Sequence, residues 1–177
     1  MSDSKNNDTL EYWLRGPVEG VPSLLQPAAH ALLQSNKELG KYLLDFPEEL
    51  LWKALEGRAS VGFHAQHITG VLDRMMTYAA GKSLSKEQFK ELKNEGKPDN
   101  DIKSADLYKN FTEQVEKAIS YFRSISEETL KEVRIVGRKK LPSTVLGLLF
   151  HAAEHSQRHI GQLLVTSSVL KEQQEKL

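Results

Sequence analysis

The chain has 177 residues, which is long enough for one domain with a sizeable core. Lysine plus arginine and aspartate plus glutamate both number 24, so the formal net charge is zero and no basic surface for nucleic acid is predicted. Cysteine is absent, which excludes disulfides, thiolate metal ligands and a cysteine nucleophile.

Residues 1–9 are polar and contain no apolar segment, so they do not resemble a secretory signal. No apolar run approaches the roughly 20 residues that a membrane helix needs. We therefore expect a cytoplasmic protein with no membrane or nucleic-acid partner. Residues 1–22 are predicted to form a polar lead-in, and residues 23–177 to form a single domain.

The first two long helices are predicted from apolar residues that recur at spacings of three and four. The first covers residues 23–46 and ends before Pro47. The second covers residues 61–80, with Ser60 as its N-cap and Gly81 as its stop.

The second half of the chain contains a polar stretch and two further long helices. Residues 86–94 are predicted to form a short surface helix, and residues 104–123 the third long helix. A mixed segment follows, in which Val133 and Ile135 indicate extended chain, and the last helix begins near Pro142 and runs to about residue 167. Four long amphipathic helices indicate an all-α four-helix bundle with a long connection between helices 2 and 3.

Three histidines on two of these helices indicate a metal site. His155 and His159 are spaced i, i+4, so both side chains lie on one face of the last helix. His67 lies on the inward side of the second helix, where it can meet them. Imidazole is the commonest ligand for zinc-like ions, and three ligands leave coordination positions open for chemistry. We predict one divalent metal ion on His67, His155 and His159.

Several neighbours of these ligands are candidates for supporting roles. His64 and His151 lie one turn from the predicted ligands and are alternates, partners that orient a ligand, or proton carriers. Arg74 and Gln162 lie on the sides of their helices that carry the ligands and are candidates to face the pocket. His30 stands alone and is predicted to be structural. No general base is identified, so the catalytic residues are unknown.

Residues 151–155 also match the H-x-x-E-H pattern of inverzincin peptidases, in which two histidines bind zinc and the glutamate activates water. Those enzymes need a further acidic ligand and a substrate cleft, which a small bundle is poorly placed to supply. A five-residue pattern also arises easily by chance in a histidine-rich helix, so the three-histidine site is preferred.

Two motifs make the chain resemble the DinB/YfiT-like superfamily of bacterial four-helix-bundle proteins. They are residues 60–74, SVGFHAQHITGVLDR, and residues 151–163, HAAEHSQRHIGQL. The resemblance extends from about Leu14 to Thr166. One departure is that many relatives carry two adjacent histidines where this chain has Arg158 and His159.

The resemblance implies an up-up-down-down bundle, commonly a homodimer, that holds nickel or zinc on three histidines at positions 67, 155 and 159. Relatives of known activity are metal-dependent transferases or isomerases that use low-molecular-weight thiols such as bacillithiol, mycothiol or glutathione, and some are described as hydrolases. We therefore expect an enzyme with a small-molecule substrate, of the thiol S-transferase or hydrolase class. The alternatives are a metal-binding stress protein without turnover and a helical dimer without metal.

Overall fold

The computed structural model describes residues 9–176. In this range the four predicted long helices and the predicted short one are present, together with a two-stranded hairpin. They are α1 (Gln26–Leu43), α2 (Val61–Ala79), α3 (Lys86–Asn94), α4 (Ser104–Ser124), β1 (Val133–Val136), β2 (Leu141–Thr144) and α5 (Val145–Glu175). The prediction of an all-α four-helix bundle is confirmed, with α3 in the long connection between α2 and α4.

The four long helices pack in the cyclic order α1, α5, α2, α4, so α1 and α2 occupy opposite corners of the bundle. Helices α1 and α4 run antiparallel, since Asn36 contacts Thr112 while Gly40, further along α1, contacts Tyr108. The histidine contacts described below show that α2 and α5 are also antiparallel.

Helices α1 and α5 run parallel, since Gln157 contacts Ala31 near the start of α1 while Gln174 contacts Glu49 beyond its end. The order of the four long helices is therefore up, down, down, up. The up-up-down-down order that the resemblance implied is wrong for this chain. The connection from α1 to α2 crosses the bundle diagonally, and α2 runs antiparallel to α1. The long connection that contains α3 runs back along the length of the bundle, so that α4 starts at the same end as α2 and runs parallel to it.

Polar side chains cap three of the helices. Ser60 accepts a hydrogen bond from the backbone N–H of Phe63, as predicted for the start of α2. Ser85 and Gln88 form a reciprocal capping box at the start of α3. Thr144 caps α5 by accepting from the N–H of Gly147.

Two of the predicted helices have wrong bounds. The first long helix begins as a 3₁₀ turn at Ser23–Leu25, and α1 ends at Leu43, after which Phe46 turns back into the core. The last helix begins at Val145, because Pro142 pairs with Ile135 in the hairpin, and it continues to Glu175. Proline is tolerated there because this two-stranded sheet has only edge strands.

The core lies between the four long helices and is mostly apolar. Leu32, Leu72, Phe111 and Leu149 come from α1, α2, α4 and α5 respectively and are fully buried. Among the described residues no helix combines the length and the apolar character needed to cross a bilayer. The contact between α2 and α5 is the most extensive in the bundle, and it carries the candidate site.

Candidate metal centre

Three histidines from α2 and α5 converge at one point. One ring nitrogen of each of His67, His155 and His159 lies within 4.8 Å of the others. The Nε2 atoms of His67 and His155 are 2.9 Å apart, and the ring centroids of His155 and His159 are 4.5 Å apart. The structure therefore brings together the three residues that the sequence singled out, while their role as ligands stays a prediction.

His64 contacts the cluster from one turn before His67 on α2. It is 3% exposed, and its Nδ1 atom lies 2.9 Å from Nδ1 of His159. A hydrogen bond between two Nδ1 atoms requires one ring to donate and the other to accept. When His159 is the donor, its Nε2 atom keeps the lone pair that a metal ligand needs. His64 is therefore placed to orient His159.

His67 is held by a carboxylate on the other side of its ring. Its Nδ1 atom lies 2.8 Å from Oε2 of Glu95, which follows the last residue of α3. The second oxygen of Glu95 accepts from Nη1 of Arg74 at 2.5 Å. The ring of Phe63 stacks on that of His67 with centroids 5.1 Å apart. The imidazole of His67 is thus fixed by a hydrogen bond at one edge and an aromatic ring on one face.

The electrostatic surroundings keep most of the cluster neutral. Burial, followed by the charge of neighbouring His67, lowers the pKa of His64, His155 and His159 to about 4. Burial raises the pKa of Glu95, but hydrogen bonds from His67 and Arg74 and their charges outweigh it and hold the pKa below its ordinary value. At neutral pH His64, His155 and His159 are therefore neutral imidazoles beside an ionised carboxylate, and neutral imidazole is the form that binds metals.

The donor set fits a divalent transition metal. The Nδ1 atom of His155 is buried without a hydrogen-bond partner, which is costly for a polar group. Imidazole donors suit zinc and nickel, and three protein ligands leave open positions. His67, His155 and His159 would hold such an ion.

Two of the other singled-out residues lie at the edge of the cluster or outside it. The side chain of His151 is 46% exposed, and its Nδ1 atom lies 2.8 Å from Oε1 of Glu154. Gln162 is exposed on α5 beyond His159. Arg74 is buried, as an inward-facing residue should be, but it reaches the histidines only through Glu95.

His151, Glu154 and His155 form a second compact group, with one potential ligand atom of each within 4.8 Å of the others. Here Arg158 donates to both oxygens of Glu154, at 2.8 and 2.6 Å. A carboxylate held by an arginine is a poor base for water, so this geometry does not favour the inverzincin interpretation. His30 lies apart, with its Nε2 atom 3.0 Å from the carbonyl oxygen of Gly16.

Glu95 is a residue that the sequence did not identify. It lies between a surface helix and a glycine, in a charged stretch with many similar glutamates, and no local pattern distinguishes it. Its importance follows only from the packing of α3 against α2. A cavity of about 700 Å³ between α2, α3 and α4 is lined by Gln66, Gly70 and Glu95 but by none of the histidines, so we do not assign it to the reacting substrate.

The fold and this cluster define a class of protein: a four-helix bundle that carries a candidate three-histidine metal centre between two antiparallel helices. The family profile of the DinB superfamily matches residues 9–163. The chain therefore belongs to the DinB superfamily, which confirms the resemblance drawn from the two histidine motifs.

A solved structure supports the fold independently. The crystal structure of a DinB-like protein from Bacillus cereus ATCC 10987 is similar, with a TM-score of 0.56 and 16% sequence identity, over 79% of this chain and 91% of that one. At this identity the similarity concerns the fold alone. No curated protein matches the chain.

Proposed function

We propose that this protein is a metal-dependent enzyme that holds one divalent ion, nickel or zinc, on His67, His155 and His159. The convergence of these three rings from two helices is the observation that carries the proposal. The lowered pKa values of His155 and His159 support it, because protons do not compete for their nitrogens at neutral pH.

We favour a thiol S-transferase over a hydrolase. A bound divalent ion supplies Lewis-acid chemistry, which lowers the pKa of a thiol or of water at the open positions. The chain has no cysteine, so a sulfur nucleophile has to come from a low-molecular-weight thiol. His64 and Glu95 hold the rings of His159 and His67 in place, and Arg158 occupies the carboxylate of Glu154, so no general base is assigned.

Metal analysis tests the ligand assignment. We expect purified protein to contain about one nickel or zinc ion per chain, and His155→Ala and His159→Ala to lose it. His30→Ala is the matched control, because His30 lies outside the cluster, and it should keep wild-type metal content. Full metal content in both ligand variants would end the assignment.

Turnover is tested separately by conjugation of bacillithiol, mycothiol and glutathione to a generic electrophile, with and without metal. We expect a rate above that of the free thiol only for the metal-loaded protein. Hydrolysis of ester and amide substrates under the same conditions would indicate the hydrolase instead. A protein that binds metal but accelerates none of these reactions is the alternative, a metal-binding bundle without turnover.

We also propose that the protein is a cytoplasmic homodimer, as its family resemblance implies. Light scattering at several concentrations tests the dimer, and a monomer throughout would contradict it.

A further inference from the structure

The end of α3 packs against four residues on one face of α2. Gln66 accepts a hydrogen bond from the backbone N–H of Gly96 at 2.9 Å. His67 and Arg74 each hold one oxygen of Glu95. Gly70 lies between them, and its missing side chain leaves the space that the carboxylate of Glu95 occupies. This arrangement binds one particular carboxylate to one particular histidine.

Glycine is required on the α3 side as well. Gly96 has φ +76°, in the left-handed region that favours glycine. A Cβ atom there would lie 2.6 Å from Cδ2 of Phe63, whose ring stacks on His67. The absence of a side chain at Gly96 therefore permits the close approach that places Glu95 against His67.

We propose that Glu95 is a positioning residue for the metal centre and that docking of the α3 end is energetically coupled to metal binding. The carboxylate accepts from Nδ1 of His67, so the proton stays on Nδ1 and the Nε2 lone pair points towards His155. Because coupling between two binding events is reciprocal, metal on His67 strengthens docking of α3 by the same factor that docking strengthens metal binding. This inference rests on the proposed metal site.

Glu95→Gln tests the proposal, with Glu91→Gln as the control. Glu91 is one turn earlier on the same helix and is exposed, so its variant makes the same chemical change away from His67. Affinity for zinc, measured by competition with a chromogenic chelator, should fall about 10–100-fold in Glu95→Gln and stay unchanged in Glu91→Gln. Zinc should also slow amide hydrogen exchange in residues 86–96 of wild type, and not in Glu95→Gln.

A spectroscopic measurement on chelator-treated protein separates positioning from simple structural support. Nitrogen-15 NMR of the histidine rings should show the proton of His67 on Nδ1 in wild type and in Glu91→Gln, and a mixture of tautomers in Glu95→Gln. Glu95→Asp keeps the charge beside buried Arg74 while shortening the reach to His67, so it serves where the glutamine variant does not fold.

The outcomes distinguish this inference from the proposed function. A wild type that binds neither zinc nor nickel would end the metal-site proposal, while the tautomer of His67 in metal-free protein would still show whether Glu95 fixes that ring. A Glu95→Gln variant with wild-type affinity, or a His67 proton on Nε2 in wild type, would overturn the inference and leave the metal site standing.

Discussion

The sharpest prediction concerns Gly70→Ala, which adds a single methyl group to α2. The new Cβ atom would collide with Oε1 of Glu95 and lie 2.6 Å from Nη1 of Arg74. Both are ends of flexible side chains, so the backbone can stay in place while the carboxylate moves off His67. We expect zinc affinity to fall about 10-fold or more, because partners that orient a ligand are worth about that much. A factor of 10 is about 1.4 kcal/mol.

The same substitution also changes the stability of the fold, because helix propensity favours alanine at this position. Alanine is favoured over glycine inside a helix by about 1 kcal/mol. Gly161→Ala on α5 is the matched control, because the Cβ atom at Gly161 meets nothing within 4 Å. We expect Gly161→Ala to raise the melting temperature by about 2–4 °C and to leave zinc affinity unchanged. Gly70→Ala should gain less stability than that, since it disturbs a buried ion pair.

Zinc competition and thermal unfolding of chelator-treated protein measure the two effects separately. The prediction requires weaker binding in Gly70→Ala together with unchanged binding in Gly161→Ala. If both variants bind zinc as wild type does and gain equal stability, the close packing of Glu95 on α2 does not support the site, and the reasoning is wrong.

Three further predictions concern stability. The pKa of His64, His155 and His159 falls from 6.5 to about 4 on folding. Between these two pH values the unfolded chain binds more protons than the folded chain. Metal-free protein should therefore lose stability as the pH drops from about 6.5 to about 4. Buried His64 alone should contribute a loss of up to about 3 kcal/mol in the free energy of unfolding, at about 1.4 kcal/mol per pH unit. A melting temperature that stays constant over this pH range would contradict the shifts. Ser60→Ala removes the cap of α2 and should cost about 1 kcal/mol in urea unfolding, with no loss meaning that the cap is dispensable. Phe111→Ala empties a fully buried position and should cost about 3–5 kcal/mol in the same assay, whereas a loss below about 1 kcal/mol would place Phe111 outside the core.

The sequence predicted helix bounds correctly where contacts within one helical turn decide them. The bounds of α3 match the predicted residues 86–94, because Ser85 and Gln88 cap that helix through contacts within one turn. The start of α2 follows in the same way from Ser60. Periodicity alone indicated the four long helices. The start of α5 was predicted wrongly, because Pro142 suits a first helical turn as well as an edge strand, and only pairing with β1 separates the two.

The sequence by itself determined that His155 and His159 share one face of a helix, since their i, i+4 spacing fixes this whatever the rest of the fold does. Only the tertiary structure decided that His67 meets them, because the antiparallel packing of α2 on α5 sets that contact. It also decided that Glu95 holds His67, since the two residues are joined by a close approach of helices that no local pattern encodes. Spacing along one helix is a property of backbone geometry, whereas contacts between helices depend on how their surfaces fit together.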